Sequence, residues 1–336
     1  MSDLLGVFLY AYRAIAPLLL LMAFGYVVVN KLGWDRAFFV KLNRFCFHFL
    51  LPIQMFYNVY GISNLSALNW RLVGFIICSI FVTVLIGVTA ARLVTDDPGQ
   101  RAAVAQASFR SNQVIMGIPL AEALGGAAAM GFASVATSIC VPIFNILGVV
   151  VLNLYLQFGG KKNASTIVRG VLRNPLVVGV SLGLIVLAIR GLIPIQDGAP
   201  VFTLAGTLPS VFKVLSDLSK VATPLMLFVL GTQIRFDEIP AIRKQLAATV
   251  FIKLILVPAV VLTAAILLRH PLGLTSTEMP TMVAIFCSPV AVTSAVMVQE
   301  IGGDKQLASQ AVAWSTALSL LTIFVAVVIF RSVGLL

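Results

Sequence analysis

The stretch RSNQVIMGIPLAEALGG, Arg110–Gly126, is apolar enough to lie in a membrane, yet it sets Asn112 and Gln113 ahead of Gly117-Ile118-Pro119. Proline inside a helix removes one backbone hydrogen bond and clashes with the preceding turn, which predicts a kink or unwinding at that point. In lipid such freed backbone groups are tolerated only where protein or a wet cavity satisfies them. A second stretch of this kind, IFCSPVAVTSAV, carries Ser288-Pro289 between two apolar arms. Paired broken helices in corresponding places of two halves are the best sequence pointer to a transporter's binding site.

The rest of the chain fits that reading. Of 336 residues, 60% are hydrophobic and only 10% charged, and the mean hydropathy is +1.05. Soluble domains carry about 25% charged residues, so the composition predicts an integral, all-α membrane protein. Ten apolar stretches fall near 4–29, 37–59, 70–94, 102–126, 129–157, 171–190, 207–232, 246–268, 279–301 and 307–331. Each is close to the roughly 20 residues a spanning helix needs. The first runs from Leu4 to Val29 without a cleavage pattern and is expected to remain as a span. Gly191–Thr207, rich in Gly and Pro, reads as a surface connection.

Prolines suggest how the spans are grouped. Pro52 and Pro224 are 172 residues apart and Pro119 and Pro289 are 170 apart, which predicts two five-span repeats, 1–157 and 158–336. Five is odd, so the second repeat enters from the opposite face, as in many secondary transporters. Lys and Arg number 16 in the odd-numbered loops, counting Arg110 and Lys253 there, against 7 on the other side. The positive-inside rule then puts both termini outside the cytoplasm. The net charge of +11 is thereby explained by topology, and nucleic acid is not an expected partner.

With the breaks placed at Pro119 and Pro289, no Lys or Arg is expected beside either. The site should then be positive through its half-helix N-termini alone. Asn112, Gln113, Ser288 and Thr293 are candidate donors to an anion, and Gly117, Pro119 and Pro289 would hold the breaks open. Equally, Asn and Ser side chains cap broken helices. Asn145 and Gln54 are candidates for the pathway wall, or for helix–helix bonds. His48 and Glu122 are possible proton carriers. Asp217 and Lys220 are expected to pair, and Lys253 and Glu278 to snorkel from span ends.

The four cysteines lie in apolar segments without metal-ligand spacing, so neither metal nor cofactor is expected. HExxH, GxSxG and Walker glycine-lysine patterns are absent, which argues against an enzyme and against ATP as the energy source. A channel is disfavoured because no filter-like repeat occurs.

SNQVIMGIPLAEALGG resembles the fourth-span signature of the auxin efflux carrier family. CSPVAVTSAVMVQEIGGDKQLASQAV looks like that family's ninth span and following loop, and VATPLMLFVLGTQI, LLPIQMF and RNPLVVGVSLGLI resemble its seventh, second and sixth. The resemblance implies ten helices in two inverted five-helix repeats, spans four and nine crossing at their prolines. It also implies a scaffold that often dimerises and an elevator-like crossover domain. The short 157–173 connection is similar to the compact bacterial members, which carry malonate, malate and related acids. The acidic residue of plant carriers on span three has no counterpart between Trp70 and Val94, a departure that bears on auxin itself. The expectation is a secondary transporter of a small mono- or dicarboxylate in a bacterial inner membrane, homodimeric, driven by the membrane potential, a proton gradient or sodium. The alternatives are a carrier of neutral or aromatic solutes and a non-transporting sensor.

Overall fold

The computed structural model describes residues 2–61, 70–157, 169, 172–191, 193, 195–196, 199–200, 203–275 and 277–332. Helix occupies each of the ten apolar stretches. In chain order they are α1 (Ser2–Asn30), α2 (Arg36–Phe45) continuing through a π-turn into α3 (Leu51–Tyr60), α4 (Trp70–Val94), α5 (Pro98–Phe109) and α6 (Ile118–Gln157). After them come α7 (Pro175–Gly191), α8 (Pro209–Thr232), α9 (Ile239–Phe251) leading into α10 (Val257–Leu267), α11 (Met279–Phe286), α12 (Val292–Ile301) and α13 (Lys305–Ser332). Among the described residues, five stretches are long and apolar enough to cross a membrane: Trp70–Val94, Ala128–Leu156, Pro209–Thr232, Phe236–Leu267 and Lys305–Phe330. The 191–207 connection contains a two-residue antiparallel pairing, Ile195–Gln196 with Ala199–Pro200.

Local sequence sets the ends. Asp97 caps α5 by accepting the Gln100 N–H at 2.7 Å, and Pro98 occupies the first turn, where its missing N–H costs nothing. Within α6, Gly125 and Gly126 leave the helical region, Gly126 with φ +68, and turn the chain into its second arm. Outward-facing Phe24, Leu85 and Leu321 are more than half exposed, a surface suited to lipid rather than water.

Three prolines share one device. Pro52, Pro119 and Pro258 each stand two residues after a five-residue π-turn: Cys46–Leu50, Gln113–Gly117 and Ile252–Leu256. The wider turn relieves the clash a proline makes with the carbonyl four residues before it. Pro119 therefore lies inside a helix, and the expected break at Gly117–Pro119 is displaced.

The fourth apolar stretch breaks instead at Arg110–Asn112. Arg110 is extended (φ −75, ψ 123), and Asn112 is non-helical. In the ninth, Pro289 does mark the break, between the end of α11 at Phe286 and the start of α12 at Val292. The two breaks pair in one antiparallel bridge, Ser111 with Val290. The Asn112 N–H donates to the Pro289 carbonyl at 2.9 Å, and the Ala291 N–H to the Arg110 carbonyl at 3.2 Å. Each break thus satisfies the backbone groups the other frees. Since Pro119 and Pro289 do not occupy corresponding places, their spacing says nothing about a repeat.

Around the crossing, α5 packs on α4 and α6, and α11 packs on α6. On the other side α1 packs on α8 and α3 on α7. Glycine permits the closest approaches. A Cβ on Gly25 would overlap the Phe228 carbonyl, one on Gly231 that of Met22, and one on Gly179 that of Pro52.

Candidate functional site

One cleft opens at the crossing. Its walls are the broken segment from Arg110 to Ile115, the start of α12 from Ala291 to Thr293, α3, α6 and α8. Its void is about 60 Å³, room for a handful of water-sized groups.

Arg110 governs the chemistry of this cleft. Its residue is only 3% exposed. One guanidinium nitrogen donates to Asn145 Oδ1 at 2.6 Å and to Thr293 Oγ1 at 2.7 Å, and the other meets the Met297 sulfur. Its Nε has no partner. No carboxylate pairs with it among the described residues. A buried cation without a counter-charge is strongly disfavoured unless something else completes it. Asn145 is held in turn by donating to the Val141 carbonyl at 2.8 Å, with the Met55 sulfur also at 2.8 Å. Asn112 Nδ2 and both amide atoms of Gln113 are buried at the same crossing without partners. The cleft therefore offers a positive charge, orphaned amides and an apolar floor of Met55, Phe144 and Met226.

An ionisable residue buried among apolar helices is a functional-site hypothesis in a membrane protein, and the family profile described as membrane transport protein matches residues 10–327. The chain belongs to the auxin efflux carrier family. It is a multi-pass membrane transporter by that membership and by its apolar helices. No curated protein sequence compared with it gives a match.

Of the residues expected at the site, Asn112, Gln113, Thr293, Asn145 and Gln54 line this transporter's cleft. Gln54 reaches across to α8, donating to the Ser219 carbonyl at 3.2 Å and to Thr223 Oγ1 at 3.0 Å. The other four lie elsewhere. Ser288 is fully buried and donates to the Ala284 carbonyl at 2.6 Å, one turn back in its own arm. Pro289 contributes its carbonyl to the crossing rather than a face to the cleft. Gly117 sits where the backbone of α11 passes, since a Cβ there would overlap the Ala284 carbonyl. Pro119 is the second residue of α6.

The expectation that no cation stands near the breaks is corrected twice. Arg110 forms part of the first break, and Lys253, expected to snorkel, is fully buried with its ammonium on Ser111 Oγ. Placing the break at the proline makes Arg110 read as a loop charge, and a position near a span end makes Lys253 read as a snorkelling one. An ionisable residue inside an apolar stretch was the signal that identifies them. Without these two the Lys and Arg count still favours the same side, fourteen against seven.

Other expectations shift similarly. Asp217 pairs with Lys213, one turn earlier, at 2.6 Å rather than with Lys220. Glu278 is buried and accepts from the Thr275 N–H at 2.8 Å, closing the loop before α11. His48 and Glu122 are exposed and outside the cleft, His48 bonded to the Arg44 carbonyl at 3.0 Å. Cys46, Cys140 and Cys287 are buried free thiols, and no group of three metal-ligating side chains occurs among the described residues.

Proposed function

We propose that the chain is a secondary transporter of a small organic anion, whose charged end is bound by Arg110 in the cleft at the crossing. The observation that carries this reading is the buried guanidinium with no carboxylate partner among the described residues and an unfilled Nε. An incoming carboxylate supplies the missing counter-charge, and a charge-assisted bond of this type is about twice as strong as a neutral one. Asn112 and Gln113 supply directional bonds to the same anion or its second acid group.

Ten spans in two inverted repeats form the accompanying architecture. Exchanging the halves maps the packing of α1 on α8 onto that of α7 on α3, and glycines line both contacts. An antiparallel bridge between the two breaks is also what a two-fold axis produces.

Alternating access by an elevator-like shift draws support from how the side-chain bonds group. Arg110, Asn145 and Thr293 tie α5, α6 and α12 together, and Lys253 adds the turn between α9 and α10. Gln54 and Thr223 tie α3 to α8. The cleft lies between these two sets. The positive-inside count supports both termini outside the cytoplasm, in a bacterial inner membrane, and the family resemblance supports a homodimer. Membrane potential, proton and sodium gradients are all open as driving forces.

A thermal-shift screen of detergent-purified protein against mono- and dicarboxylates tests the proposal, with sodium and pH varied. A ligand of the native state at a hundredfold excess over its Kd adds about 2.7 kcal/mol of apparent stability. The expected result is a saturable shift with short acids that Arg110→Gln abolishes. Shifts with neutral or aromatic compounds alone would overturn it.

A further inference from the structure

Two voids larger than the cleft lie outside it, on the surface between α9–α10 and α13. They measure about 530 and 510 Å³ and share Leu254, Ile255, Leu321 and Thr322, so they form one continuous groove. Its lining is apolar but for the hydroxyls of Thr263 and Thr322 and, at one end, Arg243 beside Leu246 and Ala247. Arg243 is exposed and has no hydrogen bond or ion pair among the described residues. The nearby Glu238 is already engaged with Arg235 at 2.7 Å.

We propose that this groove binds an anionic phospholipid, with its headgroup phosphate on Arg243 and an acyl chain along α9 and α13. Dimensions support that occupant. From Arg243 to Ile255 is twelve helical residues, about 18 Å at 1.5 Å per residue. That is close to one leaflet, half of the roughly 30 Å hydrocarbon core. With Arg243 at the headgroup level, the remaining groove, past Ile255 towards Ile266, would fall in the opposite leaflet.

Charge decides between lipids. A phosphate diester matches the guanidinium fork with two parallel N–H bonds, whereas a zwitterionic headgroup brings its own cation. The Arg243 end also carries Lys244, Arg235 and Lys305, and the positive-inside rule puts such an end at the leaflet rich in anionic lipids. A protein partner covering the groove would bury Arg243 unpaired unless it supplied an acid of its own.

The site has a route to the crossing. Ile255 on the outer side and Lys253 on the inner side belong to one π-turn, Ile252–Leu256. A lipid packed on Leu254 and Ile255 braces the turn that holds Lys253 on Ser111.

The test is native mass spectrometry and thermal shift on the delipidated full chain. Its probes are phosphatidylglycerol, phosphatidylcholine with the same acyl chains, and glycerol phosphate as the headgroup alone. Phosphatidylglycerol should be retained one to one and at least fivefold more tightly than phosphatidylcholine, with glycerol phosphate giving no shift. Arg243→Gln should remove that preference, Lys31→Gln should leave it intact, and Ala247→Trp should weaken both lipids by filling the groove. Equal retention of the two lipids, or a preference that survives Arg243→Gln, would overturn the proposal. So would Ala247→Trp splitting an oligomer without changing lipid retention, which would assign the groove to a second copy of the chain.

Discussion

The crossing has two sides, and each holds a buried cation. On the cleft side Arg110 is clamped by Asn145 and Thr293 yet keeps an unfilled Nε and has no counter-charge among the described residues. On the packed side Lys253 is fully enclosed, meets Ser111, and does not line the cleft. Both sit beside the ends of half-helices, α5 ending at Phe109 and α11 at Phe286. Helix C-termini favour positive charge, which offsets part of the burial cost of a cation on either side. Only the cleft side adds room for a ligand. The difference separates binding from bracing, and each side can be tested against the other.

The largest effect should come from Arg110→Gln. Truncating one partner of a buried, hydrogen-bonded charge pair costs about 2–5 kcal/mol, and 1.4 kcal/mol is tenfold. Anion affinity should fall by about 100-fold, measured by isothermal titration on the purified protein. A loss smaller than threefold would erase the distinction between the two sides.

Next in size is the clamp. Asn145→Ala removes a charge-assisted bond from the guanidinium and leaves it free to turn, at about 1.5 kcal/mol, so affinity should drop roughly tenfold. Thr293→Val should act in the same direction. An unchanged affinity in both would mean that Arg110 is positioned by the backbone of the crossing and not by these side chains.

The two breaks also show what a sequence discloses. Long apolar runs located the helices, because a helix facing lipid must be apolar over its whole length. Trp70–Val94, expected at 70–94, is one example. Proline at 289 disclosed its break, since it lacks an N–H and restricts Ser288 before it. Pro119 misled, because the preceding π-turn absorbs it while the helix actually opens at Arg110–Asn112. Nothing local marks those three residues as a break except side chains that compete weakly for backbone bonds. Their true reason is tertiary: the partner strand at Pro289–Ala291 lies far along the chain. Asn112, Gln113 and Thr293 are therefore legible as cleft residues, whereas Arg110 reads as a loop charge and Lys253 as one snorkelling from a span end.

Lys253→Met sharpens the contrast from the packed side. Replacing a lone buried ammonium by an apolar side chain of similar length relieves its desolvation cost, which offsets the bond lost from Ser111 Oγ. The variant should bind anion within about threefold of the parent and melt no lower. Loss of affinity comparable to that of Arg110→Gln, with the melting temperature unchanged, would move Lys253 into the site.

The smallest effect is expected at Ser288, and it is informative for that reason. Ser288 and Asn112 are both polar residues at the breaks, and both could donate to an anion on sequence grounds. Ser288 donates to Ala284 in its own helical arm, is fully buried, and lies outside the cleft. Asn112 keeps its amide Nδ2 unpartnered at the cleft wall. A back-bond of the serine kind slightly strains the helix it belongs to, so Ser288→Ala should shift the melting temperature by about 2 °C or less. Anion affinity should be unchanged, while Asn112→Ala lowers it several-fold. If the serine variant lost affinity as the asparagine variant does, the anion would have to reach past Pro289, and the packed side of the crossing would be part of the pathway.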